Sequence, residues 1–270
     1  MEKVTLFWFR RDLRLHDNTG LFYALQQEKN VLPLFIFDRN ILDALEDKTD
    51  ARVQFIHEQI LEIKAQLESK GSSLLIKYGK PAEVYQALFD QYQIESIYTN
   101  RDYEPYAKER DGLIEKLAKE KGAAFLKFKD QVIFEPGEIL NGSGEFYKVF
   151  TPFSKNWLEK FAQNKTQSLP EANWKNLFQT NPLENISLAE MGFSPSPITI
   201  PPRATDRALI KTYDENRNYP AKPGTTRLGI HLRFGTISIR QLALEAASLN
   251  QTYLNELIWR EFYMMILAYN

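Results

Sequence analysis

The last sixteen residues of the chain, NELIWREFYMMILAYN, group side chains suited to binding a flat, polar molecule. Four of them share one helix face, at positions i, i+3, i+4 and i+7: Glu256, Trp259, Arg260 and Tyr263. The adjoining face is apolar and predicts a core contact: Leu254, Leu257, Ile258, Phe262 and Met265. No Gly, Pro or basic last turn closes this helix. We therefore expect the chain to be truncated within it.

A second segment, YDENRNYPAKPGTTRLGIHLRFGTIS, combines turn-forming residues with hydrogen-bond donors. Directly after Gly224, Thr225, Thr226 and Arg227 supply hydroxyls, backbone N–H groups and a guanidinium. Such loops bind phosphate well, because small residues let the backbone approach and arginine forms bidentate bonds. An ordinary Pro/Gly turn with a capping threonine has the same composition, so both interpretations stay open.

Two charged segments directly follow predicted strands. The first, FWFRRDLRLHDN, spans Phe7–Asn18, where many doubly wound sheets bind nucleotides. The glycine fingerprint G-x-G-x-x-G is missing, which argues against a dinucleotide-dependent dehydrogenase and favours a structural ion-pair network. The second, NRDYEPYAKERD, spans Asn100–Asp111, and its charges favour a solvated helix start.

Composition excludes several classes of protein. The chain has no cysteine, which excludes disulfides, thiolate nucleophiles and cysteine-ligated metals. Its three histidines lack metal-ligand spacing, so no metal site is predicted. The N-terminal apolar run is too short for a signal peptide or a membrane span, so we expect a cytoplasmic location. A net charge of −1 gives no global attraction to nucleic acid, although a local basic patch is still possible.

The elements that must position these residues begin with alternating strands and helices. The pattern predicts an α/β fold with a Rossmann-like, doubly wound, five-stranded parallel sheet. Its strands are Val4–Phe9, Val31–Phe37, Ser73–Tyr78, Glu95–Thr99 and Ala124–Phe128. The helices between them are Asn18–Glu28, Ala51–Ser69, Pro81–Tyr92 and Pro105–Lys121.

The remaining sequence predicts a connector and the start of a helical domain. We assign residues 1–130 to the α/β domain, 131–203 to a turn-rich connector and 204–270 to a helical domain that does not finish. The connector holds one short helix near Ser154–Gln163 and a hairpin turn at Asn141–Gly144. The helical part comprises Asp206–Asn216, Ser238–Ala247 with Ser238 as N-cap, and a helix from Thr252 onward.

Taken together, four segments resemble the DNA photolyase/cryptochrome family, in particular class I cyclobutane pyrimidine dimer photolyases. They are FWFRRDLRLHDN, NRDYEPYAKERD, GTTRLGIHLRFGTIS and NELIWREFY. The resemblance covers essentially the whole chain, which is a little over half of a family member. It implies that residues 1–130 form an antenna domain, whose crevice in many members holds a pterin or deazaflavin, and that the helical part begins the FAD-binding domain. It also favours the functional interpretation of the terminal helix and of the threonine-rich loop.

The resemblance implies roles for individual residues. FAD would be held by Tyr213, by Tyr253, by Arg260 and, around its diphosphate, by the loop Thr225, Thr226, Arg227, Leu228 and Gly229. Glu256 and Trp259 match the catalytic pair that contacts a pyrimidine dimer flipped out of DNA. The DNA-facing set would be Arg217, Glu256, Trp259, Arg260 and Tyr263. Tyr106 and Ala107 stand where pterin-binding members have Asn and Glu, so the antenna chromophore stays open.

The function implied is that of a deoxyribodipyrimidine photolyase, a monomeric enzyme acting on DNA that contains pyrimidine dimers. Light drives an electron from reduced FAD into the dimer, and the cyclobutane ring splits. The family's other flavin-ring and ribose contacts lie past residue 270, so we expect this chain alone to bind FAD poorly and to repair nothing. A cryptochrome-type light sensor and a chromophore- or nucleotide-binding antenna module are the alternatives.

Overall fold

The computed structural model describes residues 1–164 and 167–269, and the chain divides into two compact units. Unit 1 comprises residues 1–102, 106–130 and 169–200, and unit 2 comprises residues 103–105, 131–168 and 201–270. Of the predicted terminal helix, residue 270 lies outside the described residues.

A five-stranded parallel sheet forms the centre of unit 1, as predicted. The strands are β1 (Lys3–Phe9), β2 (Val31–Asp38), β3 (Leu75–Gly79), β4 (Gln93–Asn100) and β5 (Ala124–Phe128). Their order is β3-β2-β1-β4-β5, so the winding reverses between β1 and β4. Nearly every residue of β1 and β2 is buried, which explains their continuous apolar sequences.

Helices connect these strands, with bounds close to the predicted ones. They are α1 (Thr19–Gln27), α2 (Arg39–Leu42), α3 (Ala51–Glu68), α4 (Pro81–Gln91) and α5 (Pro105–Glu120). Asn18 caps α1, because its side chain accepts a hydrogen bond from the Leu21 N–H group. The short helix α2 was not predicted from the sequence; one turn carries too little periodicity to be recognised.

The predicted connector is divided between the two units. Residues 131–168 belong to unit 2 and contain α6 (Phe150–Gln163), four residues longer at its start than predicted. Residues 169–200 run along unit 1 instead. The Phe178 N–H group donates to the Val31 carbonyl (2.9 Å), and the side-chain amide of Asn176 donates to the Leu25 carbonyl (2.8 Å).

Unit 2 is helical. After α6 come α7 (Arg207–Lys211), α8 (Tyr213–Asn216), α9 (Gly229–Phe234), α10 (Ile239–Leu249) and α11 (Gln251–Tyr269). The predicted helix at Asp206–Asn216 is in fact two short helices that meet at Thr212. Ser238 caps α10 as predicted, by accepting from the Gln241 N–H group. The apolar stripe of α11 packs with Phe153 and Trp157 of α6 in one core cluster.

Candidate functional site

Five predicted site residues come together in unit 2 and form what we call the polar cluster: Tyr213, Arg217, Thr226, Tyr253 and Glu256. The hydroxyls of Thr226 and Tyr253 share a hydrogen bond of 2.9 Å. The rings of Tyr213 and Tyr253 meet edge to face, with centroids 5.0 Å apart. Burial raises the pKa of both tyrosines, so both hydroxyls keep their protons at neutral pH.

An ion pair closes the polar cluster on its solvent side. The guanidinium of Arg217 donates to the carboxylate of Glu256 and lies 5.5 Å from the centre of the Tyr213 ring. About a third of each charged side chain is exposed, 33% for Arg217 and 39% for Glu256. The bond to Glu256 raises the pKa of Arg217 above its usual value. Both charges therefore remain reachable by a ligand from solvent.

The start of α11 is tied to α7 and α8 through one side chain. Asn250 accepts from the Tyr253 N–H group (3.0 Å) and donates to Asp214 (2.6 Å) and to the Lys211 carbonyl (3.2 Å). The side chain of Asn250 thus accepts from one of the N–H groups that the start of a helix leaves without a partner within the helix. Asn250 thereby fixes the positions of Tyr253 and Glu256 relative to α8, which begins at Tyr213.

The threonine-rich loop reaches the polar cluster because Gly224 allows a close approach. Gly224 is buried, and a Cβ atom there would lie 2.5 Å from the Asn216 carbonyl oxygen. The loop then places Thr226 against Tyr253, while the side chains of Thr225 and Arg227 point outward and are exposed. Arg227 has a positive φ of 53°, a left-handed conformation uncommon outside glycine.

Three aromatic rings form what we call the aromatic stack: Phe150, Trp259 and Tyr263. Phe150 lies flat on Trp259, with centroids 3.6 Å apart and planes at 7°. Tyr263 contacts the same indole at 5.4 Å and 26° and is 62% exposed. Glu256 and Trp259 are thus presented on one face of α11, as the spacing predicted.

Arg260 points into unit 2 rather than toward solvent. Its guanidinium donates to the carbonyls of Gln131 (2.8 Å) and Leu232 (3.2 Å), and burial lowers its pKa to about 10. The structure therefore gives Arg260 an internal role in holding α11. Its contact with a cofactor or DNA stays a prediction.

The neighbouring Glu261 was not recognised from the sequence. It is fully buried and accepts from the N–H groups of Ile133 (2.6 Å) and Phe134 (3.0 Å) and from the Trp157 indole (2.6 Å). Burial raises its pKa to about 7. One signal in the sequence could have revealed Glu261: it lies on the apolar stripe of α11, where a carboxylate is buried and therefore requires hydrogen-bond partners.

The carboxyl edge of the unit 1 sheet holds the ion-pair network favoured by the sequence. Arg10 donates hydrogen bonds to Asp111 and to the Asn100 carbonyl. Arg14 donates to both carboxylate oxygens of Asp130, at 2.9 and 2.8 Å. The interpretation of Asp111 as part of a solvated helix start was wrong, because Asp111 is buried. A charge paired in this way offers little to a nucleotide.

A cavity of about 210 Å³ lies beside this network, also within unit 1. Its lining includes Asn40, Lys80, Glu83, Tyr106, Glu109 and Arg110, with the apolar Pro81, Leu113 and Ile114. The Tyr106 hydroxyl donates to Asp38 (2.5 Å) and accepts from Asn40 (3.1 Å), and burial raises its pKa to about 12. Ala107, the second of the two residues that stand where pterin-binding members have Asn and Glu, is buried.

Comparisons with known proteins identify the family of the chain. The family model for DNA photolyase matches residues 5–173, well over half of the chain. The chain belongs to the DNA photolyase family. The predicted resemblance is therefore confirmed, together with the α/β fold of its N-terminal part.

The curated relatives of this chain differ in length. A deoxyribodipyrimidine photo-lyase of Synechococcus sp. PCC 6301 is 35% identical over 97% of this chain and 60% of its own length. An uncharacterized 31.6 kDa protein of Synechococcus sp. PCC 6716 is 32% identical over 95% of this chain and 98% of its own length. The chain thus spans about 60% of the first relative and nearly all of the second.

A solved photolyase has the same fold. The archaeal photolyase from Sulfolobus tokodaii, whose structure contains two FAD molecules, is 28% identical with a TM-score of 0.74. The similarity covers 99% of this chain and 60% of that protein. Among the described helices of this photolyase-family chain, none has the length and apolar character needed to cross a membrane.

Proposed function

We propose that the chain carries the lesion-contacting part of a light-driven enzyme that repairs cyclobutane pyrimidine dimers in DNA. The observation that carries the proposal is the common face of α11, where Glu256 and Trp259 lie together and Arg217 pairs with Glu256. A flat indole can stack on a base, and a carboxylate can hydrogen-bond its edge. A guanidinium nearby suits a DNA phosphate.

The residues of the threonine-rich loop fit the diphosphate of FAD. The close approach at Gly224, the exposed Thr225 hydroxyl and the exposed Arg227 guanidinium together provide hydrogen-bond donors and a cation. Leu228 is buried and anchors the loop, and the exposed Gly229 begins α9. FAD, when reduced and bound, supplies the electron that light drives into the dimer. Tyr213 and Tyr253 would border it with their neutral hydroxyls.

The ion pair of Arg217 and Glu256 links DNA binding to lesion contact. A phosphate competes with a carboxylate for the same guanidinium, because both accept bidentate hydrogen bonds. When a DNA phosphate binds Arg217, the carboxylate of Glu256 can instead contact the flipped dimer. Flipping costs less for a dimer than for a normal base pair, because its pairing is already weakened. Tyr263 is exposed beside Trp259 and completes the DNA-facing set.

Dark binding tests the lesion contact without relying on flavin content. We expect the chain to bind an oligonucleotide with one thymine dimer more tightly than the same undamaged strand, as measured by fluorescence anisotropy. Glu256→Ala should abolish most of that preference, while Glu215→Ala, which removes an exposed carboxylate of α8, should leave it unchanged. Equal affinity of the original chain for both oligonucleotides would contradict the proposal.

FAD retention is tested separately by visible absorption after purification. We expect weak retention, restored in part by added FAD. A flavin band near full occupancy would contradict the expectation drawn from the sequence. Repair itself is then followed as light-dependent loss of dimers with FAD and a reductant in excess.

The cavity in unit 1 favours a second, compatible proposal, that of a bound antenna chromophore. Its mixture of apolar and polar walls suits a planar heterocycle. Tyr106→Phe removes the hydroxyl that bridges Asp38 and Asn40, and should weaken chromophore binding in a dye or flavin titration. If only this site binds, the chain is an antenna module. If FAD binds in unit 2 without dimer preference, the chain is a cryptochrome-type sensor.

We further propose that the chain works as a monomer in the cytoplasm. Sedimentation of the purified chain and fluorescence of a tagged copy in cells test these two points.

A further inference from the structure

Phe150 makes the closest ring contact of the aromatic stack. Its ring is parallel to the Trp259 indole within 7°, with centroids 3.6 Å apart, and its edge contacts Phe262 at 5.8 Å. Tyr263 is the other ring of the stack against this indole, but it is tilted by 26° and mostly exposed. Phe262 also meets the indole, edge to face at a centroid distance of 5.7 Å. The two stacked neighbours, Phe150 and Tyr263, therefore differ in ring geometry and in exposure.

The position of Phe150 is fixed by the helix that it begins. Along α6, Phe153 and Trp157 are buried in the unit 2 core. Trp157 donates to Glu261 of α11 (2.6 Å), so α6 and α11 are joined one residue from Phe262 and two residues from Trp259. The backbone carrying Phe150 is consequently anchored to the same helix that carries its stacking partner.

An anchored ring restricts the indole. Trp259 is only partly buried, and without a parallel neighbour its side chain would sample several rotamers. Binding energy is lost whenever a ligand must immobilise a side chain, and a preorganised side chain avoids that loss. A parallel ring at van der Waals distance provides such preorganisation.

We propose that Phe150 is a positioning residue for lesion recognition: it holds the plane of Trp259 so that a flipped dimer stacks on an oriented indole. An entering base displaces the exposed Tyr263, whereas Phe150 stays in place. This inference rests on the proposed function, because it assigns to Phe150 a part in dimer binding. A residue that only fills space would contribute to stability without affecting the choice between damaged and undamaged DNA.

Three variants separate positioning from packing. Phe150→Leu keeps an apolar side chain but loses the flat ring, and Phe150→Tyr restores the ring. Phe161→Leu is the matched control, since Phe161 is also a partly buried residue of α6 and stacks on Trp157 at 4.7 Å and 20°. Each variant is labelled with 5-fluorotryptophan, and the Trp259 signal in ¹⁹F NMR is assigned by its loss in Trp259→Phe.

We expect Phe150→Leu to shift or broaden the Trp259 signal and to lower the dimer preference by roughly three- to tenfold, the range for one newly mobile side chain. Affinity for undamaged DNA should not change. Phe150→Tyr should retain the preference, and Phe161→Leu should alter the Trp157 signal only.

Three results would overturn the inference. One is an unchanged Trp259 signal in Phe150→Leu, and another is a shifted signal with full dimer preference. The third is an equal loss of preference in Phe161→Leu, which would mean general destabilisation. A failure of the proposed function has a different signature, because the original chain would then show no dimer preference while the ¹⁹F signals still report the stack.

Discussion

Glu261 illustrates how a single buried carboxylate organises unit 2. It joins α11 to the N–H groups of residues 133 and 134 and to the Trp157 indole, so one side chain satisfies three donors. Burying a carboxylate is costly without such partners. The neighbouring Arg260 holds two backbone carbonyls in the same way. These adjacent side chains hold the helix that carries Glu256 and Trp259, and in this way they support the site.

The titration of Glu261 predicts a pH dependence of stability. Its folded pKa of about 7 lies above the value of roughly 4.3 for an unfolded glutamate. Between these values the folded chain keeps a proton that the unfolded chain has released, so the free energy of unfolding falls as pH rises from about 4.5 to 7. The loss is on the order of 3 kcal/mol.

Urea unfolding at pH 5 and pH 8 measures this loss. Glu261→Gln does not titrate, so its stability should change less between the two pH values, although it is lower at pH 5 because one donor loses its partner. Glu215→Gln, an exposed change on α8, serves as the control. Identical pH dependence in the original chain and in Glu261→Gln would contradict the assignment.

At the scale of elements, the loop before α9 depends on one close backbone approach. Gly224→Ala would place a Cβ atom 2.5 Å from the Asn216 carbonyl oxygen, so the loop must move away from α8. We expect a loss of about 1–3 kcal/mol in the free energy of unfolding, as for other overpacked sites. Weaker FAD binding should accompany it, because Thr226 would separate from Tyr253.

Gly112→Ala is the control for this prediction, since a Cβ atom at Gly112 of α5 meets nothing within 4 Å. Urea unfolding and FAD titration provide the two measurements. Unchanged stability in Gly224→Ala would mean that the loop accommodates a side chain and that its approach to α8 is not required.

The helices and strands also differ in how well the sequence predicts them. Strands such as Val31–Asp38 and helices such as Ala51–Glu68 were predicted within one or two residues, because burial and periodicity are local signals. The helix α9 was missed because six residues beginning with Gly carry no period. The grouping of Glu256 with Trp259 followed from helical spacing, whereas the contact of Phe150 with Trp259 joins distant segments and left no local signal.

At the scale of the whole molecule, charge is balanced, with 34 basic and 35 acidic side chains. DNA attraction must therefore come from local groups such as Arg217 rather than from the net charge. Each phosphate contact adds about 0.9 to the slope of log affinity against log salt concentration on duplex DNA. Because we expect few phosphate contacts, we predict that the DNA affinity depends only weakly on salt concentration.

Arg217→Ala should weaken DNA binding similarly for all sequences and make that slope shallower by about 1. Lys116→Ala, which removes one exposed charge from α5, is the control and should leave the slope unchanged. Anisotropy titrations across a range of salt concentrations measure both variants. An unchanged slope in Arg217→Ala would refute the phosphate contact.

The return of residues 169–200 to unit 1 has a consequence for synthesis on the ribosome. The amide of Leu169 donates to Asp17 (2.7 Å), and that of Leu183 donates to Ser73 (3.1 Å), so the first unit acquires its last contacts late in translation. Domains usually fold as units in order of their emergence. Here, unit 1 lacks these bonds until residues 131–168 have emerged, and an expression fragment ending at residue 130 would leave the Val31 carbonyl without its bond to Phe178.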